Sequence, residues 1–319
     1  MTPLRVGTRG SALALWQTEH VRGRLHAAGY ATERIEIRTT GDLVQHVPLA
    51  RIGSRALFTK QIDDAMLEGR IDLAVHSLKD LPTTLPAGIA LVAVGEREDP
   101  RDALVGRGPL QWTELPRGAV LATSSLRRRA QLLHLRPDLE VRDIRGNVDT
   151  RLAKLDAHPE WAGILLAAAG LVRLGLAGRI GQRLPDEVML PAPGQGALAV
   201  TARTGDAVAS EAAARAADHR PTAHATAAER AFLRTLEGGC QVPVAAHATL
   251  AEDGRARLHG RVVSLRGERA VEGIETGVIR TDADADALGE RLAERLLDDG
   301  AAEILAEVRS AAVPAVPEP

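Results

Sequence analysis

Along the chain, short apolar runs of strand length alternate with segments whose apolar residues recur every three or four positions. The pattern predicts strands over 4–8, 34–39, 71–78, 89–94, 119–122, 139–144, 163–168 and 197–202. Several, 71–78 and 163–168 above all, are almost continuously apolar, as strands covered by helices on both faces must be. The first strand leads through Arg9-Gly10-Ser11 into a helix with Leu13, Trp16, His20 and Leu25 roughly along one side. A second helix carries Leu57, Phe58, Ile62, Ala65 and Met66 at helical spacing. A third opens at Thr123-Ser124-Ser125, a fourth starts near Val148, and an Ala-rich one follows residue 202.

Two segments interrupt this alternation: the charge-rich Glu96-Arg97-Glu98-Asp99-Pro100-Arg101-Asp102 and the run Pro191-Ala192-Pro193-Gly194-Gln195-Gly196. Both read as crossings between two α/β domains, so the pair forms a hinge able to open and close on a ligand. The charges of the first crossing are expected to be solvated, with no part in catalysis. After Arg220-Pro221 the pattern changes to a helix over 222–236, strand-like runs over 244–250, 257–264 and 270–279, and a long helix over about 284–307. That is a small α+β domain. The expected division is 1–98 with 197–218, then 99–196, then 219–310, with a Pro-rich, disordered tail over 311–319.

Composition narrows the function. Apolar residues make up 45% of 319 and the net charge is −2, which fits a globular protein and argues against a nucleic-acid or membrane partner. No cationic and apolar leader or membrane-length run is read, so a cytoplasmic location is expected. The single Cys240 excludes an internal disulfide or a Cys-based metal cluster, and ten scattered His show no metal-ligand spacing; no metal is expected. Of 40 basic residues only three are Lys, at positions 60, 79 and 154, and Lys79 lies beside Asp80.

Candidate chemistry gathers at strand ends, where open α/β sheets hold their ligands. The strand over 71–78 runs into Ser77, Lys79 and Asp80 before Pro82: a hydroxyl, an ammonium and a proton-transfer group within four residues. Ser11 serves equally as an N-cap or, with Arg9, as part of an anion site. Lys60 is placed as well for a surface ion pair with Asp63 or Asp64 as for a ligand. Arg127, Arg128 and Arg129 stand in the first turn of a helix, where the dipole favours anions, so that turn requires an anion to stabilise it. Arg145, Arg151 and Arg173 follow other strand ends. Cys240, after Gly238-Gly239, reads either as a small buried hydrophobe or as a point of permanent covalent attachment. The negative helix end beside it disfavours a turnover thiolate.

Together these motifs resemble the porphobilinogen deaminase (hydroxymethylbilane synthase) family. They run in order as Thr8-Arg9-Gly10-Ser11-Ala12-Leu13-Ala14-Leu15-Trp16-Gln17, Leu57-Phe58-Thr59-Lys60, Ala74-Val75-His76-Ser77-Leu78-Lys79-Asp80-Leu81-Pro82, Glu96-Arg97-Glu98-Asp99-Pro100-Arg101-Asp102, Thr123-Ser124-Ser125-Leu126-Arg127-Arg128, Arg145-Gly146-Asn147-Val148, Pro193-Gly194-Gln195-Gly196-Ala197 and Glu237-Gly238-Gly239-Cys240-Gln241-Val242-Pro243. The resemblance implies two periplasmic-binding-protein-like α/β domains joined by a double-crossing hinge, plus a small C-terminal α+β domain. It implies a dipyrromethane cofactor on a thioether to Cys240, and a transferase in haem-type tetrapyrrole biosynthesis that joins four porphobilinogen units head to tail and releases hydroxymethylbilane. A monomer is expected, passing its product to a uroporphyrinogen-forming enzyme.

Carried over by position, Asp80 is the catalytic carboxylate. Arg9, Ser11, Ser77, Lys79, Thr123, Ser124, Ser125, Arg127, Arg128, Arg145, Gly146, Arg151, Arg173 and Gln195 hold cofactor or substrate, with Arg55 and Lys60 as loop cations. Two departures stand out. Arg55 replaces a common Lys, and Asp149 brings a negative charge expected to neutralise part of Arg145 and Arg151. An anion-binding clamp without catalysis needs neither Asp80 nor Cys240, and a thiol-dependent hydrolase lacks a His partner beside Cys240.

Overall fold

A computed structural model describes residues 2–39, 59–236 and 242–311. Arg55, Cys240, Leu57, Phe58 and the tail beyond 311 lie outside the described residues. The strands of the first lobe are β1 (Leu4–Thr8), β2 (Thr32–Glu36), β3 (Leu73–Ser77) and β4 (Ile89–Val94); those of the second are β5 (Asp102–Val105), β6 (Val120–Ala122), β7 (Glu140–Arg142), β8 (Trp161–Ala167) and β9 (Gln182–Arg183). The chain then returns to the first lobe with β10 (Leu198–Arg203).

The first sheet has the order β2-β1-β3-β10-β4 and the second β7-β6-β8-β5-β9. In each, a parallel trio is followed by one antiparallel strand, β10 or β5, and a fifth strand pairs with that one. The antiparallel strand is in both cases the one that has just crossed from the other lobe. The two crossings therefore enter matching places in two sheets of the same topology, and the α/β plus α+β class expected from the sequence is what the chain adopts.

Helices α1 (Ala12–Ala27), α2 (Lys60–Leu67), α3 (Leu126–Leu135), α4 (Val148–Ala157), α5 (Ala168–Arg173) and α6 (Ala207–Ala217) accompany these sheets. Strand β5 is buried at every residue and β3 at all but its last, as expected for strands inside a two-sided core. The third unit is the antiparallel meander β11 (Val244–Leu250), β12 (Arg255–Val263) and β13 (Ala270–Val278), with α7 (Arg220–Thr235), α8 (Asp282–Leu296) and α9 (Ala302–Ala311). Its core centres on Phe232, Leu258, Leu288 and Leu292.

Four expectations need correction. The second strand covers 32–36 rather than 34–39. Helix α1 buries Gln17, Thr18, Val21 and Leu25, while Trp16 and His20 stack on each other outside, their ring centres 5.2 Å apart. The long C-terminal helix is broken over Leu297–Ala301, where Gly300 takes φ 107°, a region closed to most side chains. The fourth concerns the first crossing, where Glu96 and Arg101 are exposed as expected but Arg97 and Asp102 are withdrawn from water. Arg97 pairs with the fully buried Glu229 of α7, and Asp102 is fully buried between Arg127 and Arg128. At so many bonds per carboxylate, these pairs form a polar core within an otherwise partly exposed crossing.

Candidate active site

The site begins at the end of β3. Leu78 is buried, and its amide donates to Ala197 O at 3.0 Å, which draws the strand into a tight turn over Leu78–Asp80. Ser77, Lys79 and Asp80 then face a cavity of about 320 Å³ between the lobes. From the first lobe it is also lined by Arg9, Ser11 and Gln17; from the second by Arg128, Arg145, Gly146, Asn147, Asp149 and Arg151. Ser11 caps α1, accepting from Ala14 N at 3.3 Å, and Ser77 Oγ accepts from Gln17 Nε2 at 2.9 Å. Gln17 ends the first motif but is not singled out there as a site residue, because a buried amide on a helix has no local signature; its neighbour across the fold reveals it.

On the facing lobe, Gly146 adopts φ 117°, and a Cβ there would meet the Thr150 side chain at 2.6 Å, so the turn requires glycine. The turn leaves Gly146 O to accept from Arg151 Nε at 2.8 Å, and Lys154 Nζ donates to Arg145 O at 2.9 Å. Nη1 of Arg145 is buried without a hydrogen-bond partner. An orphaned guanidinium nitrogen inside a protein is costly until an anion reaches it.

The electrostatics agree. Burial pushes the Lys79 ammonium down to about 8, Arg128 and Arg127 add to that shift, and Asp80 and Asp102 oppose it. Burial likewise brings Arg151 down to about 10, helped by Arg128 and Arg145 and opposed by Asp80. Arg128 is lowered by burial and by Arg127, against the pull of Asp102. Cations pressed together out of water lose affinity for their protons unless anions join them. The carboxylate opposing the shift of Arg151 is that of Asp80; Asp149, exposed at the start of α4, lines the same cavity but makes no hydrogen bond to the buried Arg145 nitrogen.

Not every expected residue lines the cavity. Arg127 Nη1 donates to Asp102 Oδ2 and Leu190 O at 2.7 and 2.6 Å, so the anion demanded by its helix turn is the protein's own. Thr123 Oγ1 accepts from Ser125 N at 3.2 Å, Ser125 caps α3, and the Ser124 hydroxyl donates to Ile144 O and accepts from Ile144 N, anchoring the strand end just before Arg145. Arg173 lines a separate cavity of about 260 Å³ with Trp16, His20 and the first crossing; its guanidinium carbon lies 5.7 Å from the Trp16 ring centre and Nη2 donates to Gly196 O at 2.6 Å. Gln195 is fully buried behind Lys79. Lys60 is exposed at the start of α2, next to the cavity-lining Thr59.

Residues 4–211 match the family profile described as "Porphobilinogen deaminase, dipyromethane cofactor binding domain", and residues 223–298 match "Porphobilinogen deaminase, C-terminal domain". The chain belongs to the porphobilinogen deaminase family. Relatives named porphobilinogen deaminase include one from Desulforudis audaxviator, 53% identical over 312 residues (96% of this chain, 98% of that one). Another, from Geobacter metallireducens, is 49% identical over 307 residues (96% and 94%). Among solved structures, the methionine-binding protein MetQ matches over 67% of this chain and 89% of its own at 13% identity and a TM-score of 0.43.

A porphobilinogen deaminase cofactor domain must accept a dipyrromethane, whose rings carry carboxylates. The residues fit such a group. Arg9, Lys79, Arg128, Arg145 and Arg151 converge on one cavity, and the orphaned Arg145 nitrogen supplies an unmet donor. The expected attachment point, Cys240, lies outside the described residues.

Proposed function

We propose that this chain is a porphobilinogen deaminase acting as a hydroxymethylbilane synthase. It removes ammonia from porphobilinogen, joins four units head to tail onto a primer held at Cys240, and releases the linear tetrapyrrole by hydrolysis. The observation that carries this reading is the Asp80 carboxylate at the end of β3, facing a cavity lined by Arg9, Lys79, Arg128, Arg145 and Arg151. When bound, the dipyrromethane supplies the carbon nucleophile to which the first unit is joined.

Each pyrrole brings an acetate and a propionate. Arg9, Ser11, Lys79, Arg128, Arg145 and Arg151 hold these carboxylates, Arg145 through the nitrogen that otherwise has no partner. Asp80 accepts from pyrrole N–H groups, stabilises the cation that develops on the substrate as ammonia leaves, and takes the proton released at coupling. Its placement suits this role, since Asp80 faces the cavity beside the cations that receive the carboxylates of the substrate. Thr123, Ser124, Ser125 and Arg127 act from behind the cavity wall by fixing the loop before Arg145 and the start of α3. Arg173, at the first crossing, and the loop cations Lys60 and Arg55 are assigned to the growing chain rather than to the primer. The working units are 1–98 with 197–218, 99–196 and 219–310, acting as a cytoplasmic monomer that hands its product to a uroporphyrinogen-forming enzyme.

The test is the intact mass of denatured protein, followed by mapping of the peptide that contains Cys240. The expected result is an added mass of two pyrrole units on that peptide, absent in Cys240→Ser. A Cys240 thiol that stays unmodified after incubation of folded protein with porphobilinogen would overturn the reading in favour of a non-catalytic clamp.

A further inference from the structure

Gln195 was expected to touch ligand, yet it is fully buried and lies at the second crossing between the lobes. Its side chain makes three directed contacts. Oε1 accepts from Lys79 Nζ at 3.1 Å, and Nε2 donates to Asp102 Oδ1 at 3.0 Å and to Pro100 O at 2.7 Å. Only one orientation of the amide works, because an ammonium can only donate and an ionised carboxylate can only accept. Asp102 in turn receives Arg128 Nε at 2.9 Å on the same oxygen and Arg127 on the other.

The backbone fixes the amide as firmly as its partners do. Gln195 N donates to Ala192 O at 2.9 Å, and Gln195 O accepts from Arg97 Nε at 2.8 Å. It sits between Gly194 and Gly196, both at positive φ (74° and 92°). A Cβ on Gly196 would overlap Glu98 O, so the two crossings touch here in a way only glycine permits.

We infer that Gln195 is a positioning residue: it fixes the Lys79 ammonium beside Asp80 and links it, through Asp102, to Arg128 on the opposite wall. The chain Lys79–Gln195–Asp102–Arg128 passes from the first lobe through one crossing and the root of the other into the second lobe. The presentation of Lys79 thus depends on how the lobes are set. Besides Gln195, the charged groups acting on Lys79 are Asp80 on its own turn, Asp102 on β5, and Arg127 and Arg128 on α3. Of these partners Gln195 alone is neutral, so its removal alters the proton equilibrium of Lys79 by hydrogen bonding rather than by net charge.

The test uses the scarcity of lysine. With only Lys60, Lys79 and Lys154 in the chain, competitive acylation across a pH series, read by peptide mass, gives an apparent pKa for each amine in the full-length protein. A hydrogen bond to a charged group contributes about 1.5–3 kcal/mol. Gln195→Leu should therefore shift the Lys79 equilibrium toward the free amine by about tenfold or more, with Lys60 and Lys154 unchanged. Gln195→Asn keeps an amide but is one methylene too short to span Lys79 and Asp102, and should shift Lys79 in the same direction even if the Leu variant does not fold. A Lys79 equilibrium within twofold of the parent in either folded variant would overturn the inference, as would equal shifts at Lys60 and Lys154. Acylation does not require turnover, so this result and that of the Cys240 mass experiment stand or fall separately.

Discussion

Removing Glu229 should cost more stability than almost any other single change outside the hydrophobic cores. Its side chain is fully buried on α7 and accepts four hydrogen bonds from three parts of the chain. Oε1 takes Arg97 Nη1 at 2.6 Å and Ala248 N at 2.7 Å; Oε2 takes Arg97 Nη2 at 3.1 Å and Gly194 N at 2.7 Å. One carboxylate therefore fastens both lobe crossings to the third unit. In Glu229→Ala the Arg97 guanidinium, only 11% exposed, loses its counter-ion, and breaking a buried pair this way costs about 3–5 kcal/mol. The two amides add about 1–3 kcal/mol each wherever water cannot reach them. Partial hydration of the space left by the side chain offsets some of this, so about 3–5 kcal/mol is expected overall. Glu229→Gln keeps the volume but turns one acceptor into a donor, and should recover only part of the loss. The assay is urea unfolding followed by far-UV circular dichroism and by fluorescence. All three Trp, at 16, 112 and 161, precede the third unit, so a third unit that comes loose would separate the two transitions. A Glu229→Ala variant within about 1 kcal/mol of the parent, with coincident transitions, would refute the reasoning.

Two further outcomes follow from the site and the fold. Asp80→Asn should still acquire the mass adduct on Cys240 but lose about 10²–10⁴-fold in turnover, the usual contribution of a general acid or base; hydroxymethylbilane formation within threefold of the parent would refute the assigned role. Burial pushes the Asp72 carboxyl upward, but hydrogen bonds from the Arg5 side chain and backbone and from Arg203 outweigh it and bring the group down to about 2. Its stabilising contribution is therefore complete above the unfolded value of about 4 and lost as pH falls from there through about 2. Asp72→Asn should be less stable than the parent in urea at pH 6, and the gap should close toward pH 2; a gap that holds constant down the series would exclude this linkage.

How far the sequence speaks depends on the separation of the partners. Strands such as 89–94 and 244–250 are read to the residue because their apolar runs carry the signal locally. The arginines at the start of α3 announce the need for an anion, since three cations oppose the helix dipole there. They do not say which anion; Asp102 lies 25 residues before Arg127, inside a run of charges that looks hydrated. The same holds for Arg97 and Glu229, 132 residues apart, and for Gln195 with Lys79, 116 apart. A one-dimensional pattern records that a residue is polar, not whether a partner waits for it across the fold. Trp16 and His20 mislead in the opposite way, being apolar or aromatic at helical spacing yet outside the buried face of α1.

The cations of this chain accordingly divide into two groups, and the division explains how a cleft so positive remains folded. Arg97 and Arg127 are held by buried acids, and Arg128 shares Asp102 while also lining the cavity. These pairs join the lobes to each other and to the third unit, so the hinge is a charged core with its charges matched. Lys79 is tied to that core through a neutral amide, whereas Arg145 retains a buried nitrogen with no acceptor and Arg151 has only a backbone carbonyl at its Nε. Positive charge is thus neutralised at the crossing and left in surplus around the cavity, where five cations line the walls with Asp80 and Asp149. A ligand bearing several carboxylates, as proposed above, would supply what burial and mutual repulsion have taken from Lys79, Arg128 and Arg151, and would raise their affinity for protons as it binds. On the function proposed above, binding energy is drawn from cations whose cost the folded scaffold already bears, which favours a highly charged guest over water.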